Sequence, residues 1–141
     1  MLNSEKVRAF HDGVGYVYPT TPTVPAPELL ALREALIDEE YAEVKEAIAE
    51  LRERAEAPAG AGPLDLTDLA SELVDLLYVT YGALAAIGVP TEEVFGAIHD
   101  ANMAKLTGPR RADGKQLKPE GWQPADVRGV LAASLDGVPT V

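Results

Sequence analysis

From Glu28 to about Ala57 the chain carries neither proline nor glycine, and its apolar residues recur at helical spacing. Projected at about 100° per residue, Leu29, Leu36, Ile37, Val44, Ala47, Ile48 and Leu51 form one continuous stripe. A helix this long must cover that stripe with another element, which commits the chain to helix-on-helix packing. The partner is the segment from about Asp65 to Gly88, DLTDLASELVDLLYVTYGALAAIG, with Asp65 and Asp68 in capping-box spacing and Gly88 as its C′ residue. It is apolar almost all the way round, as a buried central helix would be, and after Asp65 its only charges are Asp68, Glu72 and Asp75. The breaker cluster APAGAGP between the two is short and predicts an antiparallel pair.

The flanking segments are shorter. Ser4 to Asp12 reads as a short helix with Ser4 as N-cap, and GVGYVYPTTPTVPAP as an extended connection. Thr91-Glu92-Glu93 signals a third helix to about Leu106, closed by Gly108. PRRADGKQLKPEGWQPAD is loop-like and basic, and Pro124 opens a final short helix through Leu135. No strand pattern and no repeat is present. The reading is all-α and a single domain over 1–141. An N-terminal helix and Pro-rich connection occupy 1–27, and a C-terminal extension occupies 107–141.

Charge narrows the class of function. Twelve basic against twenty-three acidic residues give a formal charge of −11, which argues against nucleic-acid or anionic-membrane partners. The absence of cysteine excludes disulfides, thiolate metal sites and cysteine nucleophiles. MLNSEKVRAF lacks the pattern of a signal peptide. No apolar stretch is expected to reach membrane-spanning length, because acids and glycine interrupt the longest candidate, Leu73 to Val89. The expectation is a cytoplasmic globular protein.

Within LIDEEYAEV the acids divide into two groups. Glu40 falls near the middle of the apolar stripe and Glu43 beside it one turn on, so both are expected to point inward. Glu39 lies on the flank and Asp38 faces solvent. On the second helix Glu72 is flanked by Leu69, Leu76 and Val79, with Asp75 adjacent at i+3. Two facing helices therefore each present a pair of carboxylates at similar depth. A buried unpaired carboxylate costs several kcal/mol, and converging ones repel besides. The compensation is protonation, a basic partner or a divalent cation. Arg33, two turns upstream, is the one cation near the stripe, so a metal is the best answer. An all-carboxylate donor set favours Mg²⁺, with Mn²⁺ possible. A ferritin-like di-iron site would need Glu-x-x-His elements, which neither helix supplies.

At these residues the chain resembles the MazG-like all-α nucleoside triphosphate pyrophosphatases, the superfamily that includes phosphoribosyl-ATP pyrophosphohydrolase. The family signature EExxE…ExxD is met by Glu39-Glu40-Tyr41-Ala42-Glu43 and Glu72-Leu73-Val74-Asp75. LLYVTYGALAAIGV, HDANMAKL and DGKQLKPEGWQPADV are similar to a branch that includes dUTP- and dCTP-hydrolysing enzymes, and the likeness covers roughly Glu28 to Val127. The resemblance implies that Glu40, Glu43, Glu72 and Asp75 are metal ligands. Glu39 is then a further ligand or a carboxylate that activates water, so Glu39 and Glu43 are the candidate catalytic acids. Asn102 and Lys105 would face the substrate phosphates or sugar. The implied activity is Mg²⁺-dependent cleavage of a (deoxy)nucleoside triphosphate, with dUTP a candidate, to the monophosphate and pyrophosphate.

Other residues read more plainly. His11 beside Phe10 is expected to be a packed or surface histidine, His99 non-catalytic, Tyr78 a core or subunit contact, and Trp122 an anchor for the tail. Arg110, Arg111, Lys115 and Lys118 either close over phosphates or balance the acidic surface. Two helices this apolar exceed what one small subunit can cover, so the bundle is expected to be completed by a homodimer or higher homo-oligomer. The alternatives to the leading activity are phosphoribosyl-ATP hydrolysis and a non-catalytic, metal-stabilised helical interaction module.

Overall fold

The computed structural model describes residues 1–137. Those residues form five α-helices and no strand. They are α1 (Asn3–Val14), α2 (Pro27–Glu56), α3 (Thr67–Ala86), α4 (Thr91–Met103) and α5 (Val127–Asp136). The all-α expectation holds, and the two long helices end within about two residues of their predicted limits. The final four residues of the C-terminal extension lie outside the described residues.

The antiparallel pair α2–α3 is the most extensive packing in the chain, with α1 laid against α3 and α4 packed chiefly on α5. Proline at the first position of α2 starts that helix without losing a hydrogen bond. Past its end, Ala57 turns to extended backbone, and a single 3₁₀ turn, Pro63–Leu66, leads into α3. Asp65 does not cap α3 together with Asp68. Its carboxylate reaches back to the Gly62 N–H at 2.8 Å and pairs with Arg54 at 2.7 Å, fastening the turn to the end of α2. The spacing was readable, but the 3₁₀ turn places Asp65 before the helix rather than at its cap.

The C-terminus of α3 follows the expectation closely. Gly88 has φ +67°, its N–H bonds Ala85 O, and the Val89 N–H bonds Leu84 O, the paired bonds of a Schellman motif. Any Cβ at Gly88 would also lie 2.1 Å from Thr21 O, because the Pro-rich connection crosses there and hydrogen-bonds through Thr23 N–H to Ile87 O. Ser4 is not an N-cap. Helix α1 begins one residue earlier, and the Ser4 hydroxyl donates to Glu92 Oε1 at 2.7 Å, joining α1 to the first turn of α4. The last helix opens at Val127 rather than at Pro124, with Asp126 accepting the Gly129 N–H at 2.9 Å as a true side-chain cap.

Burial departs from the sequence reading on α3. Leu73, Val74 and Leu77 are 44%, 57% and 55% exposed, so α3 is not a buried central helix within one chain. Helix α2 covers one face of it, α1 covers part of another and α4 touches it, while Leu73, Val74 and Leu77 stay exposed. By length and composition the segment Pro63–Ala86 reaches membrane-spanning range, with a mean hydropathy of 1.3, contrary to the sequence expectation. That segment nevertheless carries Glu72 and Asp75 on the side facing α2, as the pairs described next show.

Candidate metal centre

The α2–α3 seam brings the predicted acids together. Carboxylate oxygens of Glu40, Glu43 and Glu72 lie within 4.8 Å of one another. Glu40 and Glu43 sit one turn apart on α2, and Glu72 faces them from α3. Asp75, one turn along α3, lies close enough that its charge acts on both Glu40 and Glu72. Glu39 adds to the negative field at Glu40 from the flank.

The cluster sits at a rim rather than in an interior. Glu40 and Glu72 are half-buried, while Glu43 and Asp75 are exposed, which corrects the expectation that Glu43 points inward. The cause is the open outer side of α3. Two helices make a seam, and without a further layer the seam keeps one edge in solvent.

Electrostatics at that seam are unbalanced. Burial, the nearby charges of Glu43 and Asp75 and that of Glu39 push the Glu40 carboxyl above the ordinary carboxylate range. Glu72 is also raised, by burial first, then by a shared hydrogen bond with Glu43 and by the charges around it. Its Oε2 is buried and has no hydrogen-bond partner. Among the described residues no lysine or arginine forms an ion pair with any of these acids; the ion pairs present are Arg54–Asp65 and Arg111–Asp113. An orphaned oxygen in a group of mutually repelling carboxylates fits a divalent cation, which would satisfy the lone pairs and reverse the upward shifts. The donor set is oxygen only, suited to a hard ion.

The substrate candidates stand on other elements, Asn102 in α4 and Lys105 in the 3₁₀ turn that follows it. Lys105 Nζ donates to Asn102 Oδ1 at 2.7 Å and stands 4.9 Å above the Trp122 ring, with Lys118 Nζ 4.7 Å from the same ring. The Trp122 indole N–H donates to Ala101 O at 2.7 Å, so Trp122 does anchor the tail, onto α4. Gln116 adds three bonds, to Lys105 O, Gly108 O and Pro109 O. Among the described residues no hydrogen bond links Asn102 or Lys105 to the acids. In the basic segment Arg111 pairs with Asp113, and Arg110 bonds Gln116.

One cluster went unforeseen by sequence reasoning. Arg33 and His11 are each only 6% exposed and Tyr18 is buried with them. The Arg33 guanidinium donates to the Tyr18 hydroxyl and lies 5.5 Å and 5.9 Å from the Tyr18 and Tyr16 ring centres, which stack on each other. The His11 ring meets both tyrosines edge-on, and burial, then the charge of Arg33, lowers its pKa. The signal available was an arginine inside an apolar stripe beside a tyrosine-rich connection.

The comparisons with known proteins agree with the acid pattern. The model of the phosphoribosyl-ATP pyrophosphohydrolase family matches residues 7–102, about two-thirds of the chain. The match takes in both acidic pairs and ends at Asn102, so Lys105 and the C-terminal extension fall outside it. No curated protein matches the chain. The chain therefore belongs to the phosphoribosyl-ATP pyrophosphohydrolase family, MazG-like all-α enzymes that hydrolyse phosphoric anhydride bonds.

Proposed function

We propose that this chain is a divalent-cation-dependent nucleoside triphosphate pyrophosphohydrolase, releasing pyrophosphate and a monophosphate, with dUTP the first substrate to test. The observation that carries this reading is the convergence of Glu40, Glu43 and Glu72 oxygens across two helices, with Asp75 one turn away and no basic partner. Glu40, Glu43, Glu72 and Asp75 would hold the ion, Mg²⁺ or Mn²⁺. When bound, such an ion neutralises phosphate charge and acidifies a coordinated water. Glu39, exposed beside the cluster, would accept the proton of the attacking water, with Glu43 the other candidate catalytic carboxylate. Lys105 is a point charge for phosphate oxygens and Asn102 a hydrogen-bonding partner for phosphate or sugar. For that role Lys105 would exchange its contact with Trp122 for the substrate.

A homodimer accompanies this reading. The exposed Leu73, Val74 and Leu77 on α3 form the face a second copy would cover, closing the open edge of the acid seam. A cytoplasmic location follows from the substrate class, since nucleoside triphosphates are found there. A second reading, hydrolysis of phosphoribosyl-ATP, is favoured by the family match itself. Pyrophosphate release with Mg²⁺, measured across deoxynucleoside and ribonucleoside triphosphates and phosphoribosyl-ATP, separates the two. Turnover of phosphoribosyl-ATP alone selects the second. Thermal stabilisation by Mg²⁺ with no turnover of any of them selects a non-catalytic helical module.

A further inference from the structure

Once two antiparallel helices touch at one point, equal steps along both decide every later pairing. On the α2–α3 seam Gly82 stands where the Arg33 guanidinium from α2 and the His11 ring from α1 reach α3. A Cβ there would lie 2.8 Å from His11 Cε1 and 3.0 Å from Nη1 of Arg33. Seven residues on from Arg33 along α2 stands Glu40, and seven back from Gly82 along α3 stands Asp75. Three further on is Glu43, and three further back is Glu72. These are the acids whose carboxyls act on one another across the seam.

We propose that the Arg33–Gly82 contact is the register lock of the acid cluster, with Arg33 a positioning residue that acts through the helices and not at the substrate. The contact is suited to that role because Arg33 is held from more than one side. Arg33 is held by the Tyr18 hydroxyl and by the stacked rings of Tyr16 and Tyr18. Tyr18 is itself fixed where Arg8 donates to Tyr18 O at 3.1 Å and to Pro19 O at 3.0 Å. A slip of one residue moves a helix about 1.5 Å and turns it about 100°. Either displacement would part the facing carboxylates, and an error of about 1 Å in a site of this kind can cost about 10²-fold.

This inference rests on the divalent-cation reading above, so its test uses one readout that needs the ion and one that does not. The chain has no cysteine, and Ala47 and Leu69 line one small gap from opposite helices, just beyond Glu43 and Glu72. Ala47→Cys with Leu69→Cys reports register through the rate of disulfide formation, because the bond needs a Cα separation of about 4.4–6.8 Å. Mn²⁺ affinity by electron paramagnetic resonance reports the site. Gly82→Ala should slow cross-linking about tenfold and raise the Mn²⁺ Kd about tenfold, on the scale of a lost supporting contact, with helical circular dichroism unchanged. Adding His11→Ala removes the nearer of the two close contacts and leaves the one with Arg33, so it should restore both only in part. Gly96→Ala, whose Cβ meets nothing within 4 Å, should change neither. Arg33→Lys, which inserts no atom into the seam, replaces Gly82→Ala if that variant does not fold and should give the same two losses. Cross-linking unaltered by these substitutions overturns the lock, as does failure of the cysteine pair to cross-link in the otherwise native chain. Slowed cross-linking in a chain that binds no Mn²⁺ upholds the lock and overturns the metal reading instead.

Discussion

Two ends of one helix seam hold charge of opposite sign in different surroundings. At the end near Arg33, a cation is enclosed by two tyrosine rings, a histidine and a glycine, and its guanidinium has a hydroxyl to bond. Two turns along α2, carboxylates crowd together with a buried oxygen left unpartnered and an open edge to solvent. The first end is met in part by its own fold, through the Tyr18 hydroxyl and the faces of aromatic rings, with Arg33 Nε and His11 Nδ1 left without a hydrogen-bond partner. The second is met by no basic side chain among the described residues. A lone cation set against a hydroxyl and two ring faces has no like charge crowding it at neutral pH, whereas the carboxylates crowd one another, and theirs is the end that an added cation would suit.

The strongest way to break the contrast is to disable the acid end alone. Glu43→Gln and Asp75→Asn should each lower pyrophosphate release by at least about 10²-fold, as loss of a transition-state electrostatic group does. Circular dichroism should be unchanged, and full activity in both variants would remove the site assignment. The converse is Arg33→Met. It should lower stability to urea by about 2 kcal/mol, since a buried partner of Tyr18 and the ring contacts are lost together. An unchanged urea midpoint would show the cation end to be ornamental.

Proton linkage sharpens the comparison, because the two ends titrate in opposite senses in metal-free protein. Glu40 and Glu72 are raised above the ordinary 4.5, so the native state holds protons that the unfolded chain releases. Their contribution is present at low pH and fades as pH rises above that value. His11 is lowered from 6.5, so the native state resists protonation, and its contribution fades as pH falls below 6.5. Thermal denaturation between those values should show Glu72→Gln steepening the rise of stability with pH. Mg²⁺ should stabilise the native chain most at the upper end of the range. A stability curve indifferent to Glu72→Gln would contradict the crowding of the acids. The smallest effect is expected at the far end of the seam, where Arg54→Ala removes a solvent-exposed pair with Asp65 and should leave the urea midpoint within measurement scatter.

The sequence made the long helices legible because proline and glycine clusters bound them. It made the acid pairs legible because i, i+3 spacing within an apolar stripe has few innocent explanations. What it hid were relations between distant residues. Arg33 finds Tyr18 in the connection and Gly82 on another helix, and no local pattern links the three. The exposure of Glu43 was misjudged because a helical projection shows which residues share a face, not whether anything lies above it. Asp65 was misread because a 3₁₀ turn and a helix cap share the same spacing of acids.

Trp122 is the only tryptophan in the chain, and it sits between the ammonium groups of Lys105 and Lys118. Its emission therefore reports on the surroundings of this one ring without added dye. If Lys105 leaves the indole for a phosphate, intensity and wavelength should change on mixing with nucleotide, at a rate set by that movement. Stopped-flow fluorescence of the unmodified protein would then time the arrival of substrate separately from the release of pyrophosphate.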